Sequence, residues 1–260
     1  PDIPSILCGH FALKAVSDEI TVMGHDADAD KAKRAKELGA IDKSHWNLLA
    51  ACEGANLILL DVGLEEMEMT LEALGGEVKG EAVILDTFIL KRPILDLAGR
   101  LLPDGTRFVG GHVVSPKMDE GKAPSATLLQ GATFFLVPPE GVDSEAVDMA
   151  SNLVEAVGAV PRYIDAAEHD GLVAATLQLP LLSALAMGGA LHGEPGVEER
   201  RQAMGGALAD ILSLLFSSRA LSVDAFLQNR ENVLRWLAVY ASRLDTLRRL
   251  LAGGEAENLQ

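Results

Sequence analysis

Apolar and polar positions change rhythm repeatedly over the first two-thirds of the chain. Glu19-Ile20-Thr21-Val22-Met23-Gly24 reads as a short buried strand. Asp28 to Leu38 reads as a charged helix closed by Gly39, a residue type that accepts the left-handed C-cap. Asn56 to Val62 is an apolar strand, and Leu64 to Leu74 a helix stopped by Gly75-Gly76. Ala82 to Thr87 is the next strand, and Pro93 to Leu102 a helix with its proline in the first turn, where no N–H is needed. Thr106 to Val109 leads into Gly110-Gly111-His112, which the pattern places at a strand's end. Thr133 to Val137 is a strand, Ser144 to Val157 a helix, and Val160 to Ile164 the last strand. Such alternation predicts a mostly parallel sheet with helices on both faces.

After Asp165 the strand pattern stops. Ala166 to Leu191, Val197 to Phe216 and Asn229 to Ala252 all carry helical signals. In the last of these, Leu234, Leu237, Ala241, Leu244, Leu247 and Leu251 recur at helical steps and form an apolar packing stripe. The expected class is therefore α/β: a Rossmann-like domain over residues 1–165, then an all-α domain over residues 166–260. The tail from Gly253 is expected to fray.

The 260 residues are enough for two cores, and 48% hydrophobic with 23% charged residues is an ordinary globular balance. A net charge of −16 argues against a nucleic-acid partner, which needs clustered cations, and against an anionic membrane surface. Cys8 and Cys52 are far apart and in no C-x-x-C pair, and the first residues lack the order of a signal peptide. Reduced thiols in a cytoplasmic protein, without zinc, are expected. Leu172 to Leu191 holds no charged residue and is just long enough to span a bilayer. Thr176, Gln178, Pro180, Ser183 and the Gly188-Gly189 pair, with no aromatic belt, point instead to a helix inside a helical or dimeric core.

Three places carry candidate chemistry. His112 follows two glycines at the end of an α/β strand, where such folds gather their sites; the alternative is a strand-end histidine with a satisfied hydrogen bond. Asp26 lies just past the second strand, where a carboxylate can hold the ribose hydroxyls of NAD. With Asp28 and Asp30 it reads equally well as a solvated acidic turn opening a helix. His169-Asp170 suggests an acid–base pair, but neighbours on a helix do not face each other, so domain-junction contacts are expected. Glu65-Glu66-Met67-Glu68 reads as a solvated helix face with Met67 and Met69 in the core. No G-x-S-x-G, P-loop or H-E-x-x-H is present.

Several segments resemble the prephenate dehydrogenase family. They are Gly24-His25-Asp26, Glu37-Leu38-Gly39-Ala40-Ile41-Asp42, His45-Trp46-Asn47-Leu48 and the run from Leu102-Pro103-Asp104-Gly105 to Gly110-Gly111-His112. Further on, Glu168-His169-Asp170 with Leu179-Pro180 is similar to the start of the family's helical domain, and Asn229-Arg230-Glu231 to its last helix. The resemblance implies NAD(P)-dependent oxidative decarboxylation of prephenate or arogenate in tyrosine biosynthesis. It also implies a homodimer built through the helical domain. On it, His112 matches the catalytic histidine, which accepts a hydrogen bond from the ring hydroxyl as hydride departs.

Departures from the family's pattern are equally visible. Its glycine-rich phosphate loop corresponds to Ile6-Leu7-Cys8-Gly9-His10-Phe11-Ala12, with Gly9 the single glycine. The proline that follows the family's histidine is Val113, and its D-x-x-S-V-K serine is Ile89. Lys91 closes that segment and reads as a surface lysine. The S-H-L-P-H stretch becomes Leu177-Gln178-Leu179-Pro180-Leu181, leaving Gln178 as the candidate substrate contact. The threonine–arginine pair that clamps carboxylates falls on Leu212-Ser213, with Arg200, Arg201 and Arg219 as spatial substitutes. Three functions are therefore expected in competition. One is an enzyme that uses NAD, favoured over NADP by Asp26, on a small cyclic acid. Another is an oxidoreductase on a less charged substrate, with Ile89, Leu181 and Leu212 lining the pocket. The last is a non-catalytic relative that binds a ligand or partner with little or no dinucleotide affinity.

Overall fold

The computed structural model describes residues 13, 20–77, 82–114, 126–193, 196, 199, 202–203, 205–217 and 222–254. The chain divides into two compact units, Pro1–Ala166 and Ala167–Gln260. In the first, a two-stranded parallel sheet pairs β1 (Met23–Gly24) with β2 (Lys43–Ser44). A five-stranded sheet follows in the order β3 (Leu57–Leu60), β4 (Val83–Asp86), β5 (Phe108–Val114), β6 (Thr133–Val137) and β7 (Val160–Tyr163). The first three strands run parallel, β6 runs antiparallel to β5, and β7 is parallel to β6.

The helices of this unit are α1 (Ala29–Glu37), α2 (Leu48–Cys52), α3 (Leu64–Glu77), α4 (Arg92–Leu101) and α5 (Ser144–Ala156). Strands covered on both faces need apolar residues at successive positions, as in Leu57-Ile58-Leu59-Leu60 and Val83-Ile84-Leu85. Val83, Leu85 and Val109 face one way, onto Ala146, Ala150 and Val154 of α5. Ile84 and Phe108 face the other way, onto Met67, Leu71 and Leu74 of α3 and Ile94, Leu97 and Ala98 of α4. Side-chain caps start three of these helices, α1, α2 and α5. Asp28 accepts from the Asp30 amide at 3.0 Å, Asn47 from Ala50 at 2.9 Å and Asp143 from Glu145 at 3.1 Å. Gly39, at φ 75°, follows the C-cap of α1.

Three expectations need correction here. Helix α3 does not stop at Gly75-Gly76 but runs through to Glu77. A Cβ at Gly75 would sit 2.2 Å from the Leu101 carbonyl oxygen, so that glycine serves the close crossing of α3 and α4 rather than a helix end. Of the two methionines, Met67 is buried while Met69 is exposed. Strand β5 does not end before His112; it continues to Val114 because β6 supplies an antiparallel partner.

The second unit opens with a helical run made of α6 (Ala166–Val173), a π-helical turn at Ala174–Gln178, and α7 (Leu179–Gly193). Pro180 cannot donate to the carbonyl four residues back, and the widened turn just before it absorbs that mismatch. Then come α8 (Gly206–Ser217), α9 (Val223–Gln228) and α10 (Arg230–Gly253). The start of the helix expected from Val197 lies mostly outside the described residues, as does the tail beyond Gly254. The α10 stripe is largely solvent-facing on the single chain: Leu234 is 63% and Leu251 66% exposed, with Leu244 and Leu247 exposed between them. The run Ala166–His192 is long and apolar enough to cross a membrane by length and composition alone, and only 28% of its apolar window is buried within the chain.

Candidate functional site

The ladder between β4 and β5 extends from Ile84↔Phe108 to Leu85↔Val109, and β4 ends at Asp86. Gly111 and His112 therefore lie past the last β4–β5 rung, paired only with Leu136 and Phe135 of β6. By strand alternation, Phe108, Gly110 and His112 share one face, the face covered by α4. The half-buried imidazole thus stands at the carboxyl rim of the parallel strands, where open α/β sheets take ligands.

Beneath it lies a group that the residue pattern did not foretell. Lys91, expected at the surface, is fully buried at the N-cap of α4. Its ammonium pairs with the equally buried Asp86 carboxylate and donates to the Gly111 carbonyl at 2.6 Å. The other Asp86 oxygen accepts from the Gly111 amide at 3.2 Å, and the Phe88 amide donates to the first at 3.0 Å. Burial pushes the Asp86 carboxyl above its ordinary value, while Lys91 and the Gly111 and Phe88 amides pull it back. The two glycines make this packing possible. A Cβ at Gly110 would lie 3.1 Å from Lys91 Cδ, and one at Gly111 would lie 2.6 Å from the Asp86 carbonyl oxygen. The available signal was a strand ending in a carboxylate, a lysine five residues later, and two consecutive glycines requiring close neighbours. On the neighbouring strand end, Thr87 donates to the Asp61 carboxylate at 3.0 Å.

Asp26 lies two residues beyond β1, exposed, with one carboxylate oxygen accepting from the Asp28 amide at 2.8 Å. Asp28 in turn caps α1. The acidic-turn reading is thus what the geometry displays, and the same turn fixes a solvent-facing carboxylate at the carboxyl end of a parallel strand. His25 Nδ1 lies 3.0 Å from the His45 carbonyl, tying the ends of β1 and β2 together. Gly9, with the rest of the loop from Ile6 to Ala12, lies outside the described residues.

In the helical unit, Gln178 is completely buried, and its amide is engaged at both ends. Its nitrogen donates to the Ala225 carbonyl at 3.0 Å, and its oxygen accepts from Asn229 at 2.8 Å. Asn229 also donates to the Asp170 carbonyl at 2.8 Å, and its own oxygen accepts from Asn232 at 2.9 Å. Within this unit the observed partners of Gln178 are thus structural ones. His169 and Asp170, expected not to face each other, are both buried and meet at 2.9 Å. The side chains of this adjacent pair reach each other because both turn inward. Leu181 belongs to the buried core and Leu212 is half-buried, as is Ile89 in the first unit. Arg200, Arg201 and Arg219 lie outside the described residues. Among the described residues no cluster of His, Cys, Asp or Glu has the arrangement of a metal site.

Comparison with known proteins agrees with this two-part layout. Residues 11–163 match the model of the prephenate dehydrogenase nucleotide-binding domain, and residues 165–260 match that of the prephenate dehydrogenase dimerization domain. The prephenate dehydrogenase of Bacillus subtilis is 26% identical over 242 residues, which are 92% of this chain and 65% of that protein. The cyclohexadienyl dehydrogenase of Zymomonas mobilis is 25% identical over 95% of this chain and 85% of its own length. The structure of the Aquifex aeolicus prephenate dehydrogenase, solved with hydroxyphenyl propionate and NAD+, superposes with a TM-score of 0.85. That match has 23% identity and covers 97% of this chain and 89% of the other. A Synechocystis arogenate dehydrogenase gives a TM-score of 0.78 at 22% identity, covering 97% and 90% of the two chains. Two domain models in the right order, over almost the whole chain, establish the relationship: the chain belongs to the prephenate dehydrogenase family.

Proposed function

We propose that this chain is an NAD-linked dehydrogenase of prephenate or a closely related cyclic acid, with His112 as its catalytic residue. The observation that carries the reading is the imidazole at the carboxyl rim of the parallel strands, on a strand extension held from below by side chains. There His112 accepts a hydrogen bond from the ring hydroxyl and takes up its proton as hydride leaves the same carbon. Loss of carbon dioxide then makes the ring aromatic. The nicotinamide, when bound, supplies the hydride acceptor, and the protein supplies orientation. Asp26 fits the ribose end of such a cofactor, because its carboxylate is exposed at a parallel strand's end. A 2′-phosphate would meet that negative charge, so NAD is preferred to NADP. The dimerization-domain match and the solvent-facing leucines of α10 support a homodimer through the helical unit.

Ile89 and the inward-turned Gln178 favour a second reading, a non-catalytic relative. A hydrocarbon stands where the family has a hydroxyl, and a missing neutral hydrogen bond costs about 0.5–1.5 kcal/mol of affinity. Titration with NADH and NADPH, followed by thermal shift, separates the two. A cofactor at one hundred times its dissociation constant stabilises by about 2.7 kcal/mol. The dehydrogenase reading expects a larger shift with NADH, NADH formation from NAD and prephenate, and loss of turnover but not of the shift in His112→Asn. No shift with either cofactor at millimolar concentration would overturn it in favour of the second.

A further inference from the structure

We infer that the buried Asp86–Lys91 pair sets the position of the His112 imidazole, making Lys91 a positioning residue of the site. The inference rests on the proposed role of His112 for its consequence in turnover, but not for its geometry. Beyond Leu85↔Val109, β4 offers no further rung to β5. The Gly111 amide and carbonyl point toward that missing rung, and side chains fill it: Asp86 accepts from the amide and Lys91 donates to the carbonyl. The Gly111 carbonyl belongs to the peptide unit whose nitrogen is that of His112. Lys91 therefore grips the very plane that carries the catalytic residue.

A purely stabilising role accounts poorly for this choice of residues. Taking two charges wholly out of water costs much of what their attraction returns, and well-packed apolar pairs commonly hold a fold as well. What an apolar pair cannot do is bond both polar groups of Gly111 at once. The sequence also leaves space for the arrangement, since a Cβ at Gly111 would collide with the Asp86 carbonyl oxygen and one at Gly110 would press on Lys91 Cδ at 3.1 Å.

The test uses the full chain with the charge-neutral double variants Asp86→Asn/Lys91→Met and Asp86→Asn/Lys91→Gln. The single variants strand a buried charge and are expected to unfold, so the doubles carry the test. Histidine ring resonances are recorded with 15N-labelled histidine, the His112 signal being assigned by its loss in His112→Asn. Asp86→Asn/Lys91→Met should fold, show a displaced and broadened His112 signal, and lose about 100-fold in kcat with an unchanged KM for NAD. The Lys91→Gln double restores a donor for the carbonyl and should recover most of both. A folded Lys91→Met double with a native His112 signal would overturn the inference. So would equal ring displacement in both doubles. Should the wild-type chain show no thermal shift with NADH or NADPH, the proposed function fails while the ring signals still decide this one.

Discussion

At the scale of single residues, the site is governed by the absence of side chains as much as by their presence. Gly111 touches the Asp86 main chain, Leu85 and Phe134, and a methyl group there would lie 2.6–2.9 Å from all three. Gly110 is less confined, with its nearest atoms at 3.0 and 3.1 Å. Overpacking of this kind costs about 1–3 kcal/mol. Gly111→Ala should therefore lower the melting temperature more than Gly110→Ala, as calorimetry of the two variants would show. Equal losses would mean that the strand yields without consequence for Asp86. Asp26 makes a different residue-scale prediction. Asp26→Ser should narrow the difference between NADH and NADPH in thermal shift, because the carboxylate that repels a 2′-phosphate is gone.

Elements are shaped by what crosses them. Helix α3 contains two adjacent glycines with opposite surroundings: Gly75 lies against the Leu101 carbonyl, while a methyl group on Gly76 would meet nothing within 4 Å. Alanine is favoured over glycine in a helix interior by about 1 kcal/mol. Gly76→Ala should accordingly raise stability by up to about that amount, whereas Gly75→Ala should lower it, a pair of opposite signs measurable by urea denaturation. In the helical unit, Asn229 satisfies both the Gln178 amide oxygen and the Asp170 carbonyl. Asn229→Ala leaves those buried acceptors without their donor, at about 1–3 kcal/mol for a buried unsatisfied group. A lower unfolding midpoint for the helical unit is the expected reading.

At the scale of the whole molecule, the helical unit leaves a row of large apolar side chains open along one helix. On α10, Val233 packs inward while Leu234, Leu244, Leu247 and Leu251 face solvent on the single chain. Exposed apolar area of this kind marks an association surface. Under the proposed homodimer, Leu247→Glu/Leu251→Glu should sediment as a monomer where the parent chain sediments as a dimer, with the unfolding of the sheet-bearing unit unaltered.

What could be read along the chain was local: the order of the longer strands and helices, the glycine that closes α1 at Gly39, and the period of the α10 stripe, while the short elements β2, α2 and α9 left no such pattern. Capping and hydrophobic period depend on residues a few positions apart, so they are written into neighbouring letters. Gly75, Lys91, Gln178 and the continuation of β5 past His112 were decided elsewhere. Their partners lie far along the chain: Leu101 beside Gly75, Gly111 beside Lys91, Ala225 beside Gln178, and β6 along β5. A lysine is buried, or a glycine required, because of neighbours that only folding brings near, and that is why the three-dimensional arrangement alone tied the main chain beside His112 to an ion pair.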